Sequence, residues 1–173
     1  MSVVIRDAAV SDIAAITRIY AHHVNHGTAT FETEAPDEAE MTRRWGEVSG
    51  KGLPWLVAED DGEVVGYAYA GLYRPRLAYG HTVEDSIYVR ADRLGAGLGG
   101  VLMPALIAAA EARGMRQMIA VIGDTGNQAS IGLHRRFGFY DAGLLKNVGF
   151  KFGRWLDTVF MQRSLGPGAG TPP

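Results

Sequence analysis

The most informative segment of the chain reads Ser86-Ile87-Tyr88-Val89 and then, after five further residues, Gly95-Ala96-Gly97-Leu98-Gly99-Gly100. The first part is typical of a β-strand, and the residues after Gly100 have the composition of a helix that extends to about Arg113. Closely spaced glycines let consecutive backbone N–H groups point into one concavity, and the helix start adds the positive end of its dipole. The segment therefore predicts a loop that binds phosphate through its backbone.

The glycine loop also has other interpretations. The spacing Gly95-x-Gly97-x-x-Gly100 also fits the dinucleotide fingerprint, with Asp124 as the acidic residue 24 positions later. That fingerprint directly follows its strand, whereas residues 90–94 intervene here, and the 49 residues after Asp124 are too few for a doubly wound sheet. No Gly-Lys-Ser/Thr occurs, which excludes a P-loop. A flexible turn without a ligand is the remaining alternative.

The rest of the chain predicts strands and helices in the order β-α-α-β-β-β-α-β-α-β-β. The strands are expected at Val3–Ile5, Trp55–Glu59, Val64–Ala70, His81–Val89, Met118–Ile122, Leu144–Gly149 and Thr158–Gln162. The helices are expected from Ser11 to Gly27, from Pro36 to Gly50, after the glycine loop, and from Asn127 to Phe137. This order predicts an α/β fold, of α+β character, with a mixed sheet and helices on both faces.

Length and composition limit the function classes. The 173 residues predict one domain over residues 1–165, and we expect the Gly/Pro-rich residues 166–173 to be disordered. The net charge of −2 offers no basic excess for nucleic acid or an anionic membrane, so neither is expected as a partner. The absence of cysteine excludes disulfides and thiolate chemistry. With no signal peptide visible and no apolar run beyond the ten residues Val101–Ala110, we expect a cytoplasmic protein.

The glycine loop resembles the acetyl-CoA loop of the GNAT N-acetyltransferase superfamily, whose pattern is Gln/Arg-x-x-Gly-x-Gly/Ala. Its glycines correspond to Gly97 and Gly99, whereas its Gln/Arg position falls on Leu94, with Arg93 one residue earlier. A second segment begins 28 residues after Gly99. It reads Asn127-Gln128-Ala129-Ser130-Ile131-Gly132-Leu133-His134 and then Phe137-Gly138-Phe139, similar to the family's Asn-x-x-Ser-x-x-Leu-Tyr followed by Gly-Phe. Together the two motifs identify the chain as a member of this superfamily.

A narrower resemblance concerns phosphinothricin and methionine sulfoximine N-acetyltransferases. It rests on three segments: residues 67–71, residues 78–79 with 82–89, and residues 148–157. It implies acetyl-CoA as co-substrate, no metal, a homodimer, and a small amino-acid analogue whose α-amine is acetylated. An acetyltransferase for another amine (a polyamine, an aminoglycoside or a protein N-terminus) and a non-catalytic acyl-CoA-binding module are the alternatives.

The resemblance also implies site residues. Those expected to bind the co-substrate are Ile87, Tyr88, Val89, Leu94, Gly95, Ala96, Gly97, Leu98, Gly99, Gly100, Asn127 and Ser130. The oxyanion donor is expected to be the Val89 backbone N–H, freed where its strand parts from a neighbour. Those expected to bind the amine substrate are Arg74, Arg76, Leu77, Ala78, Tyr79, Glu84, Asp85 and Ser86. Phe31 and Glu32 lie in an interhelical loop that often walls the acceptor site in this family.

Two side chains are candidates for proton transfer. Strand alternation places Glu84 on one face with Ser86 and Tyr88, and the resembling enzymes use this glutamate as general base. His134 occupies the position of the tyrosine that protonates the CoA thiolate in many relatives. An exposed strand carboxylate and a polar-face histidine are the competing interpretations. Without cysteine no acetyl-cysteine can form, so direct transfer in a ternary complex is expected.

Two further groups have simpler interpretations. His22 and His26 lie four residues apart on a predicted helix, but no third metal ligand is evident, which favours a solvent-facing pair. Phe150, Phe152 and Trp155 form an aromatic group that suggests core or a dimer interface.

Overall fold

The computed structural model describes residues 2–173 and contains the predicted order of elements. The strands are β1 (Val4–Asp7), β2 (Trp55–Asp60), β3 (Glu63–Leu72), β4 (Thr82–Val89), β5 (Gln117–Gly123), β6 (Tyr140–Lys151) and β7 (Arg154–Ser164). The helices are α1 (Ile13–His26), α2 (Glu38–Gly50), α3 (Leu98–Ala112) and α4 (Gln128–Arg136). The predicted mixed sheet with helices on both faces is confirmed.

One seven-stranded sheet, in the order β1-β2-β3-β4-β5-β7-β6, organises the molecule. The pairings are antiparallel except that of β4 with β5, which α3 connects as a parallel crossover. The β4–β5 pairing covers Thr82–Asp85 of β4 and ends where Asp85 lies opposite Ala120. The remainder of β4 keeps β3 as its partner. The two central strands therefore part near the middle of the sheet.

Strand alternation divides the apolar residues between two cores. Leu56 and Ala58 of β2 face the core that α3 covers, whereas Trp55 and Val57 face the core beneath α1 and α2. Successive side chains of a strand point to opposite faces, so this one strand supplies both cores. The sheet is thus packed on both sides, with one core on each face.

The ends of several elements follow from local chemistry. Asp37 caps α2 by accepting a hydrogen bond from the Glu40 backbone N–H at 2.8 Å. The β2–β3 turn has two positive φ angles, at Asp61 (51°) and Gly62 (80°), as a two-residue hairpin turn requires. The turn between β6 and β7 uses Phe152 (52°) and Gly153 (73°) in the same way.

Strands β6 and β7 are longer than the predicted Leu144–Gly149 and Thr158–Gln162. Most of β6 is exposed, so the alternation of buried and exposed side chains that marks a half-buried strand is missing from its sequence.

The C-terminal residues contact the rest of the chain through Arg116. Its guanidinium donates to the backbone oxygens of Gly168 (3.1 Å) and Pro172 (3.0 Å) and to Thr171 Oγ1 (3.2 Å). The disorder expected for residues 166–173, and the assignment of residues 1–165 to one domain, stay predictions. Across residues 2–173, no helix is both long and apolar enough to span a membrane.

Candidate active site

A cavity of about 510 Å³ opens where β4 and β5 part. Asp85 to Val89 of β4, Ala120 to Ile122 of β5, and the N-terminal turns of α3 and α4 line it. The predicted site residues that it brings together are Asp85, Ser86, Ile87, Tyr88, Val89, Leu94, Gly97, Gly99, Gly100, Asn127, Ser130 and His134. Two motifs distant in sequence therefore meet around one volume.

The glycine loop has the geometry of a backbone cradle. Gly95 and Gly97 have φ angles of 77° and 82°, in the left-handed region that favours glycine. A Cβ at Gly99 would lie 2.9 Å from Leu133 Cδ2, so a side chain there would push α3 away from α4. Gly97 immediately precedes α3, whose first N–H groups lack intrahelical partners. A pyrophosphate fits this donor set, because it needs close backbone approach and accepts hydrogen bonds.

The other loop residues take different positions. Leu98 is buried in the α3 core, and Gly95 and Ala96 lie outside the residues that line the cavity. Leu94, at the family's Gln/Arg position, is 59% exposed, and its side chain has no hydrogen-bond donor. Arg93 Nη1 instead donates to the carboxylate of buried Asp60 at 2.8 Å. The neighbouring arginine is thus engaged with the sheet.

Arg136 is a cavity residue that the sequence motifs did not single out. It lies in the last turn of α4, and its Nη1 would be 3.8 Å from a Cβ at Gly100. Its guanidinium therefore lies beside the glycine loop. In the sequence, Arg136 could have been found only from its position two residues after His134, on the helix that begins at the second motif.

Strand β4 presents adjacent carboxylates to opposite faces. Tyr88, on the Glu84 face, packs against Tyr20 of α1 with ring centroids 5.0 Å apart. Ile87, on the Asp85 face, packs into the core that α3 covers. The structure thus keeps Glu84 with Ser86 and Tyr88, as predicted by alternation, and separates Asp85 from them.

Burial raises the pKa of Glu84, and the nearby charge of Asp85 raises it further, while Arg74 opposes both. A carboxylate in this environment is a stronger base than an exposed one. Glu84 does not line the cavity itself but lies on the strand that forms its wall.

Asp85 and His134 form a buried pair inside the cavity. His134 Nε2 lies 2.9 Å from Asp85 Oδ2, and the two side chains are 6% and 1% exposed. His134 Nδ1 lies 2.7 Å from the Ser130 carbonyl oxygen, which can only accept, so Nδ1 carries a hydrogen. One further proton then lies between Nε2 and Oδ2. Burial lowers the pKa of His134, but the hydrogen bond and charge of Asp85 outweigh it and the net pKa is raised.

The end of β4 turns a backbone donor toward the cavity. The Arg90 N–H donates to the Val65 carbonyl of β3 at 2.9 Å. Because N–H groups alternate in direction along a strand, the Val89 N–H points away from β3 and toward the gap that β5 leaves. The Val89 N–H therefore faces the space where β4 and β5 no longer pair, as expected from the sequence. His23 Nε2 donates to the Val89 carbonyl at 2.8 Å and so holds this strand end against α1.

Asn127 and Ser130 shape the start of α4. Asn127 Oδ1 caps the helix by accepting from the Ser130 N–H at 3.2 Å, and the Ser130 carbonyl accepts from His134. Within residues 2–173 no group of three or more His, Asp or Glu side chains could hold a metal. The His22 and His26 rings are 4.8 Å apart without such a third ligand.

The predicted substrate loop lies between β3 and β4 and is exposed. Arg76, Leu77, Ala78 and Tyr79 lie outside the residues that line the cavity, and Leu77 is 96% exposed. Arg74 stacks over the Tyr73 ring at 5.0 Å, and its charge reaches Glu84. The structure therefore brings Arg74 near Glu84 of β4 and leaves its loop neighbours in solvent.

Comparisons with known proteins agree with this geometry. The model of the acetyltransferase (GNAT) family matches residues 16–139. The chain is 56% identical to phosphinothricin N-acetyltransferase of Alcaligenes faecalis, over 98% of this chain and 85% of that protein. It is 47% identical to L-methionine sulfoximine/L-methionine sulfone acetyltransferase of Pseudomonas paraeruginosa, over 99% and 100%. A crystal structure of a GNAT superfamily phosphinothricin acetyltransferase from Sinorhizobium meliloti with acetyl-CoA superposes with TM-score 0.97 at 49% identity, covering 100% and 94%. The expectations of family, fold and acetyl-CoA-dependent N-acetyltransferase activity are confirmed, and the chain belongs to the GNAT acetyltransferase family.

Proposed function

We propose that the protein acetylates the α-amine of a small amino-acid analogue of the phosphinothricin or methionine sulfoximine type, by direct transfer in a ternary complex. The observation that carries this proposal is the placement of Glu84 and of the Asp85–His134 pair on opposite faces of β4, at the gap between β4 and β5. The names of the relatives support the substrate class.

The co-substrate site combines backbone donors with the cavity. Acetyl-CoA supplies the acetyl group as an activated thioester. The loop at Gly95, Gly97, Gly99 and Gly100 and the start of α3 would hold its pyrophosphate, and Arg136 adds a charge there. The Val89 N–H donates toward the gap, where it would stabilise a carbonyl oxygen as it gains charge. Asn127 and Ser130 orient α4 against the same cavity.

The two ionisable sites of β4 divide the proton transfers. Glu84 takes a proton from the substrate ammonium, which frees the nitrogen lone pair for the new N–C bond. The Asp85–His134 pair holds the proton that the sulfur takes as the C–S bond breaks. We assign Asp85 to this pair rather than to substrate binding. Arg74 and, from the exposed loop, Arg76 are the proposed partners of the substrate carboxylate, since guanidinium groups bind carboxylates bidentately.

Glu84→Gln keeps the shape of the side chain and removes its basicity. We expect kcat for methionine sulfoximine at pH 7 to fall by about 10²–10⁴, with acetyl-CoA affinity unchanged. Because burial raises the pKa of Glu84, its carboxylate forms at a higher pH than that of an exposed glutamate. The wild-type rate should therefore rise with pH through that raised pKa, and the variant should lack this rise. Steady-state kinetics across pH measure both effects.

The exposed Glu38→Gln on α2 is the matched control and should be unaltered. Near wild-type turnover by Glu84→Gln at pH 7 contradicts the base assignment. Acetylation of a peptide amine, a polyamine or an aminoglycoside but of neither amino-acid analogue contradicts the substrate class. Acetyl-CoA binding without turnover of any amine identifies a binding module.

Asp85→Asn tests the buried pair. Without the Asp85 charge and its hydrogen bond, burial lowers the pKa of His134 against the Ser130 carbonyl alone, so this pKa falls relative to wild type. His134 then loses its proton at a lower pH. The ratio of variant to wild-type kcat should therefore be smaller at pH 8 than at pH 6. The exposed Asp141→Asn is the control. A pH profile of kcat that keeps its wild-type shape in a folded Asp85→Asn protein rules out a proton-holding role for the pair.

Arg136→Gln tests the charge beside the glycine loop. A hydrogen bond to a charged group contributes about 1.5–3 kcal/mol, so the acetyl-CoA Kd should rise at least about tenfold. Adding Leu94→Arg, which restores the family's residue type, should recover part of that affinity. Arg135→Gln is the control, because Arg135 pairs with Asp141 at 3.2 Å. Equal Kd values for Arg135→Gln and Arg136→Gln in calorimetric titration exclude the proposed contact.

We also propose a homodimer through the β6–β7 hairpin. Many of its large apolar side chains are exposed, and Phe150 and Trp155 contact each other with ring centroids 5.3 Å apart. Exposed apolar patches of this kind mark interaction surfaces. The other exposed large apolar side chains of the hairpin are those of Tyr140, Leu144, Leu145, Val148 and Phe152. A cytoplasmic location stays a prediction.

Trp155→Glu should convert the dimer to a monomer, because Trp155 is 62% exposed in the single chain and a carboxylate would have to be buried at the interface. Light scattering measures the mass. Val10→Glu, at a 65% exposed position away from the hairpin, should leave the mass unchanged. A wild-type protein with the mass of one chain contradicts the proposal.

A further inference from the structure

Lys151 is a buried lysine with no part in the steps above. It ends β6, is 4% exposed, and its ammonium donates to the backbone oxygens of Gly27 at 2.8 Å and Thr30 at 2.9 Å. These acceptors lie 124 and 121 residues away in sequence, in the connection between α1 and α2. The ammonium thus joins the C-terminal hairpin to the segment that follows α1.

The same segment is held by a second contact that involves no charge. The Phe31 ring rests where Gly123 of β5 and Gly149 of β6 have no side chain. A Cβ at Gly149 would lie 2.4 Å from Phe31 Cε2, and one at Gly123 would lie 2.7 Å from Phe31 Cε1. Residues 27–31, named here the acceptor wall, are therefore fixed to the sheet at two points, the Lys151 ammonium and the Phe31 ring.

The acceptor wall borders the cavity. Ala29 lines it together with Tyr88 and Val89 at the end of β4. Thr30 Oγ1 lies 2.7 Å from the hydroxyl of Tyr20, and Tyr20 packs on Tyr88. A shift of this segment would therefore change the space on the Glu84 face of β4, where the amine is proposed to enter.

Burying an ammonium group to hold this segment costs free energy. Burial lowers the pKa of Lys151, and the charge of Glu32 only partly offsets this. An apolar side chain would pack at less cost, but it would leave the buried Thr30 carbonyl and the half-buried Gly27 carbonyl without this donor. The lysine therefore stabilises one conformation of the acceptor wall, the one in which the Gly27 and Thr30 carbonyls converge.

We propose that Lys151 is a positioning residue that fastens the acceptor wall and thereby sets the affinity for the amine, without contacting the acetyl donor. The proposal rests on the proposed function, because it takes the Glu84 face as the amine site. Its partner in this role is the glycine pair that seats Phe31.

Two variants test the proposal, one at the Lys151 ammonium and the other at the Phe31 ring. Lys151→Met removes the donors and keeps the length of the side chain. Gly149→Ala displaces Phe31 and leaves Lys151 in place. For both we expect the KM for methionine sulfoximine to rise about tenfold or more, with the acetyl-CoA KM unchanged, and hydrogen exchange in residues 27–37 to become faster while α3 stays protected.

Matched controls lie on the same strand. Lys146→Met removes an exposed lysine of β6, and Gly143→Ala adds a Cβ that meets nothing within 4 Å. Both should keep wild-type constants. If Lys151→Met fails to fold, Gly149→Ala carries the test alone.

A wild-type amine KM in the Gly149→Ala protein overturns the proposal, as does an equal rise of both KM values in either variant, which indicates a general structural defect. Absence of turnover of either amino-acid analogue by the wild-type enzyme instead contradicts the proposed function. Unchanged exchange in residues 27–37 of Lys151→Met overturns the tether itself.

Discussion

The parting of β4 from β5 beyond Asp85 and Ala120 is the constraint on which the site depends. Up to that point the two strands pair in parallel, and α3 crosses over them. Beyond it, β4 keeps only β3 as partner, so one row of backbone donors faces a gap instead of a neighbouring strand. The gap accounts for the cavity, for the direction of the Val89 N–H and for the meeting of two motifs on α3 and α4. A continuous sheet would have filled this space with backbone hydrogen bonds.

Two neighbouring carboxylates can serve different chemistry because a strand sends them to opposite faces. Glu84 lies on the α1 side, where burial strengthens it as a base. Asp85 lies on the α4 side, where His134 offers it a proton or a positive charge. The charge of Asp85 still raises the pKa of Glu84, as a like charge does. The two carboxylates are thus adjacent in sequence, and their side chains have different partners on the two faces.

Local patterns predicted the order of elements, the glycine loop, and the face that Glu84 shares with Ser86. These depend on spacing within a few residues, which the sequence displays directly. The partners of Asp85, Arg136, His23 and Lys151 were not predictable, because each contact joins residues from separate elements. The expectation that Asp85 binds substrate was based on its neighbours in sequence. In the structure its side chain instead contacts His134 of α4. The length of β6 was missed because its exposed face carries no burial pattern.

The glycine loop departs from the family pattern at one position, where a charged or amide side chain is replaced by an apolar one. At the glycine loop the family's Gln/Arg position is Leu94, and the adjacent Arg93 is engaged with buried Asp60. Releasing Arg93 to bind phosphate would leave the Asp60 carboxylate buried without its ion-pair partner, at an energetic cost. A charge supplied from α4 avoids that conflict, because Arg136 reaches the loop from the end of a helix whose position is already fixed by the Asp85–His134 pair. The glycine loop and the Asp85–His134 pair both contact α4, so a change in the orientation of this helix would affect both.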